Sequence, residues 1–151
     1  MENGFLGTSI VCQVGILVND IEKSSQEFAD FLGMDKPKWS WTGSYEDAKT
    51  EFMGQPSAAR CKLAFFKVGS QLDIELLEPD NEPSTWRNDL NKNGEGVHHL
   101  AFFIKGMNEK IQLCEKNGMK LLQKGEYPGG RYAYIDANNT IKTLVELLEN
   151  D

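Results

Sequence analysis

The first half of the chain shows short apolar runs and one stretch of helical periodicity. Residues 11–18 are mostly β-branched or aliphatic, which predicts a strand. Apolar residues then recur at helical spacing between Asn19, the predicted helix N-cap, and Gly33, where the predicted helix ends. Further apolar runs bounded by turn residues predict three more strands, at 38–41, 61–68 and 72–77.

The second half of the chain follows the same plan. A strand is predicted at 97–104, and apolar residues at helical spacing predict a helix from Met107 to Gly118. Three further strands are predicted, at 120–124, 131–135 and 143–148. The element order is therefore β-α-β-β-β, twice.

The two halves can be aligned residue by residue. Residues 13–18 lie over residues 99–104 at an offset of 86, which places Gln13 over His99. The pentad IELLE, which contains Glu75, lies over VELLE, which contains Glu146, at an offset of 71. Because each pentad falls on the last strand of its half, the repeat indicates one pseudo-symmetric unit built from two modules.

We therefore expect residues 1–151 to form a single α+β domain, which is the usual outcome for a chain of this length. The first module covers about 8–79 and the second about 96–151, joined by a linker at 80–95 with one or two helical turns. Residues 43–59 contain two glycines and a proline, and we expect a short helix or a lid there.

Four polar side chains interrupt the apolar strands at equivalent positions of the repeat. Side chains alternate faces along a strand, so Gln13, Glu75, His99 and Glu146 each point away from their apolar neighbours. If a pseudo-twofold axis joins the modules, all four face one cavity. One imidazole, two carboxylates and one amide oxygen suit a divalent ion, with Zn, Ni, Co, Mn and Fe equally possible.

The composition limits the partners of such a protein. Against 23 acidic residues stand 16 basic ones, and the net charge of −7 argues against a nucleic-acid groove, which requires Lys and Arg to neutralise phosphates. The three cysteines are widely spaced and do not form a disulfide framework. The start, from Met1 to Gly4, lacks the basic region of a signal peptide, and the longest apolar run falls far short of the roughly 20 residues that span a bilayer. We expect a cytoplasmic protein that acts on a small molecule, away from membranes.

The sequence resembles the vicinal oxygen chelate superfamily, which includes glyoxalase I, methylmalonyl-CoA epimerase, extradiol dioxygenases and the fosfomycin and bleomycin resistance proteins. The resemblance rests on five stretches that span nearly the whole chain, at 14–24, 31–33, 74–79, 94–102 and 145–147. It implies two tandem βαβββ modules that form a curved, barrel-like cleft, and it implies a homodimer.

The resemblance also implies a metal site with one ligand from each of four strands. Carried over, the ligands fall on Gln13, Glu75, His99 and Glu146. Some glyoxalase I enzymes use this Gln/Glu/His/Glu set, whereas the epimerases usually have His first and Gln second. The epimerases also use an acid on a central strand of the first module, and the comparable stretch 60–65 contains none.

The implied chemistry is proton transfer next to a metal-polarised carbonyl, with Glu146 or Glu75 as the catalytic base. The substrate is then a hemithioacetal, as in glyoxalase I, or an acyl thioester, as in an epimerase. Dioxygenase chemistry needs two histidines on one metal. His98 and His99 are adjacent on a strand and are expected to point to opposite faces unless a bulge intervenes.

A metal-free binding protein of the bleomycin-resistance type is the alternative, with a ligand held in the groove between the modules. Two inward glutamates have no role in such a protein. Aromatic candidates for the pocket are Trp39, Trp41, Phe52, Phe65 and Tyr132. Arg131, beside a Gly-Gly turn, is a candidate to meet a substrate carboxylate or phosphate.

Overall fold

The computed structural model describes residues 4–151. Residues 1–3, on which part of the signal-peptide prediction rests, lie outside the described range. The first module and the linker contain these elements: β1 (Gln13–Leu17), α1 (Ile21–Leu32), β2 (Ser40–Trp41), α2 (Tyr45–Ala48), β3 (Glu51–Phe52), β4 (Gln55–Pro56), β5 (Cys61–Lys67), β6 (Asp73–Pro79) and α3 (Thr85–Asn93).

The second module has the same order with a simpler middle. Its elements are β7 (Gly96–Phe103), α4 (Met107–Lys116), β8 (Lys120–Tyr127), β9 (Gly130–Asp136), α5 (Asn138–Ile141) and β10 (Leu144–Asn150). The α5 turn was not predicted, because four residues without an apolar face leave no periodic signal.

All ten strands join one curled mixed sheet in the order β2-β5-β6-β1-β7-β10-β9-β8-β3-β4. The modules meet at the centre, where β1 runs antiparallel to β7. Within each module the first strand is parallel to the last, β1 to β6 and β7 to β10. The predicted α+β fold with tandem modules around a barrel-like cleft is confirmed.

The segment predicted as a short helix or lid joins the two ends of the sheet. It leaves β2 at one edge of the sheet, passes through α2, and forms β3, which pairs with β8 of the second module. We call residues 43–59 the strap. The second module has only a tight turn between β8 and β9 at this point. The strap therefore accounts for the 15-residue difference between the two repeat offsets.

The outer face of each module is covered by one helix. Helix α1 buries Ile21 and Ala29 against strands of the first module, while α4 buries Met107, Ile111 and Cys114 against the second. The N-cap of helix α1 is Asp20 rather than Asn19, because the Asp20 side chain accepts from the Lys23 N–H at 3.1 Å. The helix ends at Gly33 with φ of 67°, as predicted.

The helices are short, and the longest, α1, has 12 residues. Within residues 4–151, no helix is both long and apolar enough to cross a membrane. Helix α3 lies in the linker and inserts Trp86 into the inner side of the curled sheet, where the Trp86 Nε1 donates to the Tyr134 hydroxyl at 2.9 Å. The linker therefore contributes to the core of the cleft as well as joining the modules.

Candidate functional site

The four polar residues that the repeat selects occupy two adjacent rows across the centre of the sheet. In one row, Gly15 of β1 has Glu75 of β6 on one side and His99 of β7 on the other. In the next row, Ala101 of β7 lies between Gln13 of β1 and Glu146 of β10. Gly15 and Ala101 are themselves related by the offset of 86, so the pseudo-twofold axis exchanges the two rows.

The side chains converge on His99. Its Nε2 lies 3.0 Å from Gln13 Oε1, 3.0 Å from Glu146 Oε2 and 3.7 Å from Glu75 Oε1. The ligand atoms of Glu75, His99 and Glu146 all lie within 4.8 Å of one another. All four side chains are buried, and the pseudo-symmetric strands bring them together from both modules.

The convergence requires a glycine beneath the imidazole. A β-carbon built on Gly15 would lie 2.1 Å from Cε1 of His99, far inside van der Waals contact. The absence of a side chain at Gly15 is what allows the ring to lie across β1 and reach the Gln13 amide.

The expectation that His98 and His99 point to opposite faces is wrong, because β7 contains a bulge. Gly15 pairs with His99, but the next residue of β1, Ile16, pairs with Val97, so His98 has no partner in the register. The His98 and His99 rings consequently meet, with their Nδ1 atoms 3.0 Å apart. His98 is buried and its Nε2 lies 3.1 Å from Asp89 Oδ2 on α3.

Burial favours the neutral form of every ionisable group at the centre. Desolvation raises the pKa of Glu75 to about 8, and the nearby Glu146 carboxylate acts in the same direction. Desolvation also raises the pKa of Glu146 to about 8. The same cause lowers the pKa of His99 to about 4 and lowers that of His98. Without a cation, the charged forms of these groups are disfavoured.

A divalent cation fits this arrangement of donors. Among residues 4–151, the buried oxygens Glu75 Oε1 and Glu146 Oε2 have no hydrogen-bond partner, which is uncommon and calls for a physical reason. The Glu146 oxygen approaches His99 without the alignment of a hydrogen bond. An ion held by these two oxygens, His99 Nε2 and Gln13 Oε1 would satisfy all of them.

Three of the four predicted ligands, Gln13, Glu75 and Glu146, line a cavity of about 410 Å³ in the cleft. These three side chains, together with the His99 ring that they surround, are called the floor of the cavity. Its aromatic lining residues include Trp41, Phe65, Trp86, Tyr127, Tyr132 and Tyr134. Three of the predicted pocket residues, Trp41, Phe65 and Tyr132, are therefore placed at the cavity.

The other three predicted pocket residues lie elsewhere. Trp39 packs on the helix side of the first module, and its Nε1 donates to Glu22. Phe52 is in β3 but does not line the cavity. Arg131 alternates with the inward Tyr132, and it forms ion pairs with Glu149 and Asp151. None of these three residues lines the cavity.

Sequence reasoning missed Trp86 and Tyr134. Strand alternation could have found Tyr134, since it shares a face with Tyr132 two residues away. No sequence signal could have placed Trp86, because its position depends on how the linker helix folds back over the cleft.

The last glutamate of each repeated pentad has a different role from the first. Glu78 accepts from the backbone N–H of Ile21 at the start of α1, and it pairs with Lys62 at 3.0 Å. Glu149 accepts from the N–H groups of Gly106 and Met107 at the start of α4, and it pairs with Arg131. In each pentad, the first carboxylate therefore lies at the site, and the second accepts hydrogen bonds from the N-terminus of the helix of its module.

The fold and the polar centre together define a class of protein. A family model described as the Glyoxalase/Bleomycin resistance protein/Dioxygenase superfamily matches residues 12–135. The chain belongs to this superfamily, and the predicted family resemblance is confirmed.

The similar proteins differ widely from this chain in sequence. The uncharacterized protein YqjC of Bacillus subtilis (strain 168) is 32% identical over 93 residues, which is 60% of this chain and 66% of that protein, slightly less than two thirds. A hypothetical protein from Bacillus halodurans C-125 is 25% identical with a TM-score of 0.64, and 94% of each chain is covered. Methylmalonyl-CoA epimerase from Mycobacterium tuberculosis is 23% identical with a TM-score of 0.63, covering 100% of this chain and 96% of the epimerase.

Proposed function

We propose that this protein is a metal-dependent enzyme that moves a proton on the carbon next to a substrate carbonyl, in a hemithioacetal or an acyl thioester. The observation that carries the proposal is the convergence of two buried, hydrogen-bond-deficient carboxylates with His99 and Gln13 at the floor of an aromatic cavity. A buried pair of carboxylates of this kind is suited to both ion binding and proton transfer.

The four polar residues and the aromatic lining have different roles. Gln13, Glu75, His99 and Glu146 hold the ion, and when bound it supplies Lewis-acid polarisation of the substrate carbonyl. The aromatic residues of the lining exclude water and hold the body of the substrate against the floor.

A carboxylate at the floor serves as the base. Glu146 or Glu75 accepts the proton from the carbon next to the carbonyl, and the electron pair of the broken C–H bond moves onto the carbonyl oxygen. The same group then returns the proton to the neighbouring carbon, which gives isomerisation of a hemithioacetal. Epimerisation of a thioester would require the second of the two glutamates, in its protonated form, to donate a proton to the opposite face of the original carbon.

The structural neighbours support this class of reaction through their fold. Several are named methylmalonyl-CoA epimerases, including a Streptomyces coelicolor complex with 2-nitronate-propionyl-CoA. At 20–23% identity they support the fold of the site and leave the substrate open. A metal-free binding protein is the weaker candidate, because it leaves the Glu75 and Glu146 oxygens unsatisfied.

The experiment is solvent deuterium exchange followed by NMR on protein reconstituted with each candidate metal. A methylglyoxal–thiol hemithioacetal and methylmalonyl-CoA are tested side by side. We expect exchange next to a carbonyl in at least one of them, and we expect Glu146→Gln to reduce the rate by about 100-fold or more. Metal content is measured on the same samples.

Two further variants test the ligand set and supply a control. Gln13→His should keep the metal, because imidazole is an equally good ligand. Glu149→Gln is the matched control, since Glu149 lies three residues further along β10 and faces α4. Full turnover by Glu146→Gln, or no bound and no bindable metal, would contradict the proposal.

A further inference from the structure

The charged side chains that line the cavity are all acidic. Four carboxylates line it, from Asp73, Glu75, Glu126 and Glu146, and within the described chain the lining contains no lysine or arginine. The remaining lining is largely aromatic and aliphatic. A substrate in this cavity is therefore surrounded by apolar surface and negative charge.

A bound divalent ion does not reverse this balance. Its two positive charges are matched by Glu75 and Glu146, which leaves the less buried Asp73 and Glu126 without a cation in the lining. Two cations contact the Trp41 ring, Arg60 at 5.3 Å and Lys62 at 5.3 Å. Neither lines the cavity, and Lys62 is already paired with Glu78.

We propose that the part of the substrate inside the cavity presents its metal-chelating oxygens on an uncharged body with an aromatic or branched aliphatic group, and that a further carboxylate on that body is excluded. This inference rests on the proposed function, since it assumes the ion at the cavity floor. A body of this kind gains from apolar contact with the aromatic lining. A free carboxylate loses hydration and meets only like charge.

The inference concerns a carboxylate that does not chelate the ion, since the carboxylate of a malonyl-type acyl group can itself be one of the chelating oxygens. A carboxylate elsewhere on the substrate body would need a cation in the lining to hold it. Arg131 was the one predicted candidate for that role, and the structure directs it to Glu149 and Asp151 instead.

The test uses three probes with one chelating group, namely benzohydroxamic acid, 4-carbamoylbenzohydroxamic acid and 4-carboxybenzohydroxamic acid. The last two have the same shape and differ in charge. Binding to the zinc-loaded protein is followed by quenching of tryptophan fluorescence, because Trp41 and Trp86 line the cavity. We expect the carboxylate to bind more weakly than the carbamoyl probe by about tenfold or more.

A charge variant shows whether the cavity lining is the cause. Glu126→Gln removes a lining charge at an exposed position and should narrow the difference between the two probes several-fold. Glu27→Gln removes the same charge from the exposed side of α1 and should leave the difference unchanged.

Equal or tighter binding of the carboxylate probe overturns the inference, as does failure of all three probes to bind while zinc is retained. The outcome of the deuterium-exchange experiment does not depend on the outcome of the probe-binding experiment. If no exchange is found but the probe ranking holds, the proposed reaction is wrong and the preference for an uncharged ligand stands.

Discussion

The imidazole of His99 lies directly over Gly15, its register partner on the neighbouring strand, and a single added carbon at Gly15 would overlap the ring. We expect Gly15→Ala to displace His99 from Gln13 and Glu146 and to weaken metal binding by at least about tenfold, the size of effect that follows loss of a positioning contact. Isothermal titration with Zn²⁺ measures the dissociation constant.

The matched control for this substitution is Gly69→Ala. Gly69 lies in an exposed turn where an added β-carbon would meet only ordinary van der Waals contact, 3.8 Å from Leu72 Cβ. Its zinc affinity should equal that of the unmodified protein. Unchanged affinity in Gly15→Ala would show that the ring can move without loss of the site.

His98, the unpaired residue of the bulge in β7, contacts the Nδ1 side of the His99 ring, opposite the Nε2 that faces the other predicted ligands. If His99 Nε2 binds an ion, its Nδ1 carries the proton and donates to His98 Nδ1, and the His98 Nε2 then lies 3.1 Å from the Asp89 carboxylate. We expect His98→Phe to weaken zinc binding by about 10- to 100-fold. Asp89→Asn should have a smaller effect because that carboxylate is partly exposed. Lys92→Ala, on the same helix, should not change the affinity, and circular dichroism confirms folding of each variant.

The metal-free protein should lose stability as the pH rises from 6.5 to 8. Burial raises the pKa of Glu75 and Glu146 from 4.5 to about 8, so their stabilising neutral forms are lost across that range. The pKa of His99 falls from 6.5 to about 4, so its contribution is complete above 6.5 and is lost only towards acid. Thermal melts in EDTA measure the change.

Two comparisons test whether the buried carboxyl groups cause this pH dependence. Glu75→Gln should flatten the slope, since one of the two titrating carboxyls is gone. Saturating Zn²⁺ should raise the melting temperature most at the alkaline end, because bound carboxylates are already ionised. A melting temperature that stays constant or rises with pH in EDTA would disprove the assigned burial effect.

Glu78 and Glu149, which accept from backbone N–H groups at the starts of α1 and α4, should affect stability and leave the site intact. Glu78→Ala and Glu149→Ala each leave a helix N-terminus without its acceptor and a basic partner without its ion pair. We expect each to lower the melting temperature by a few degrees while zinc affinity is retained. Glu27→Ala, at an exposed position of α1, serves as the control. Loss of zinc binding in either variant would show that the pentad acts as one unit.

The sequence by itself determined the architecture and the pairing of the four polar residues. Alternation with a period of two assigned faces to the strands, and the internal repeat related Gln13 to His99 and Glu75 to Glu146. These signals are local or depend on similarity within the chain, so they can be recognised from the sequence alone. Helix ends marked by Gly33 and by an Asx residue at the N-cap were readable for the same reason, to within one position.

Only the tertiary structure decided the details that shape the site. A bulge is a mismatch in count between two strands, so the orientation of His98 depends on the register with β1 and has no signature in β7 alone. The cavity wall depends on where the linker helix places Trp86 and where the strap crosses from one edge of the sheet to the other. Both are set by long-range packing, which strand periodicity does not encode.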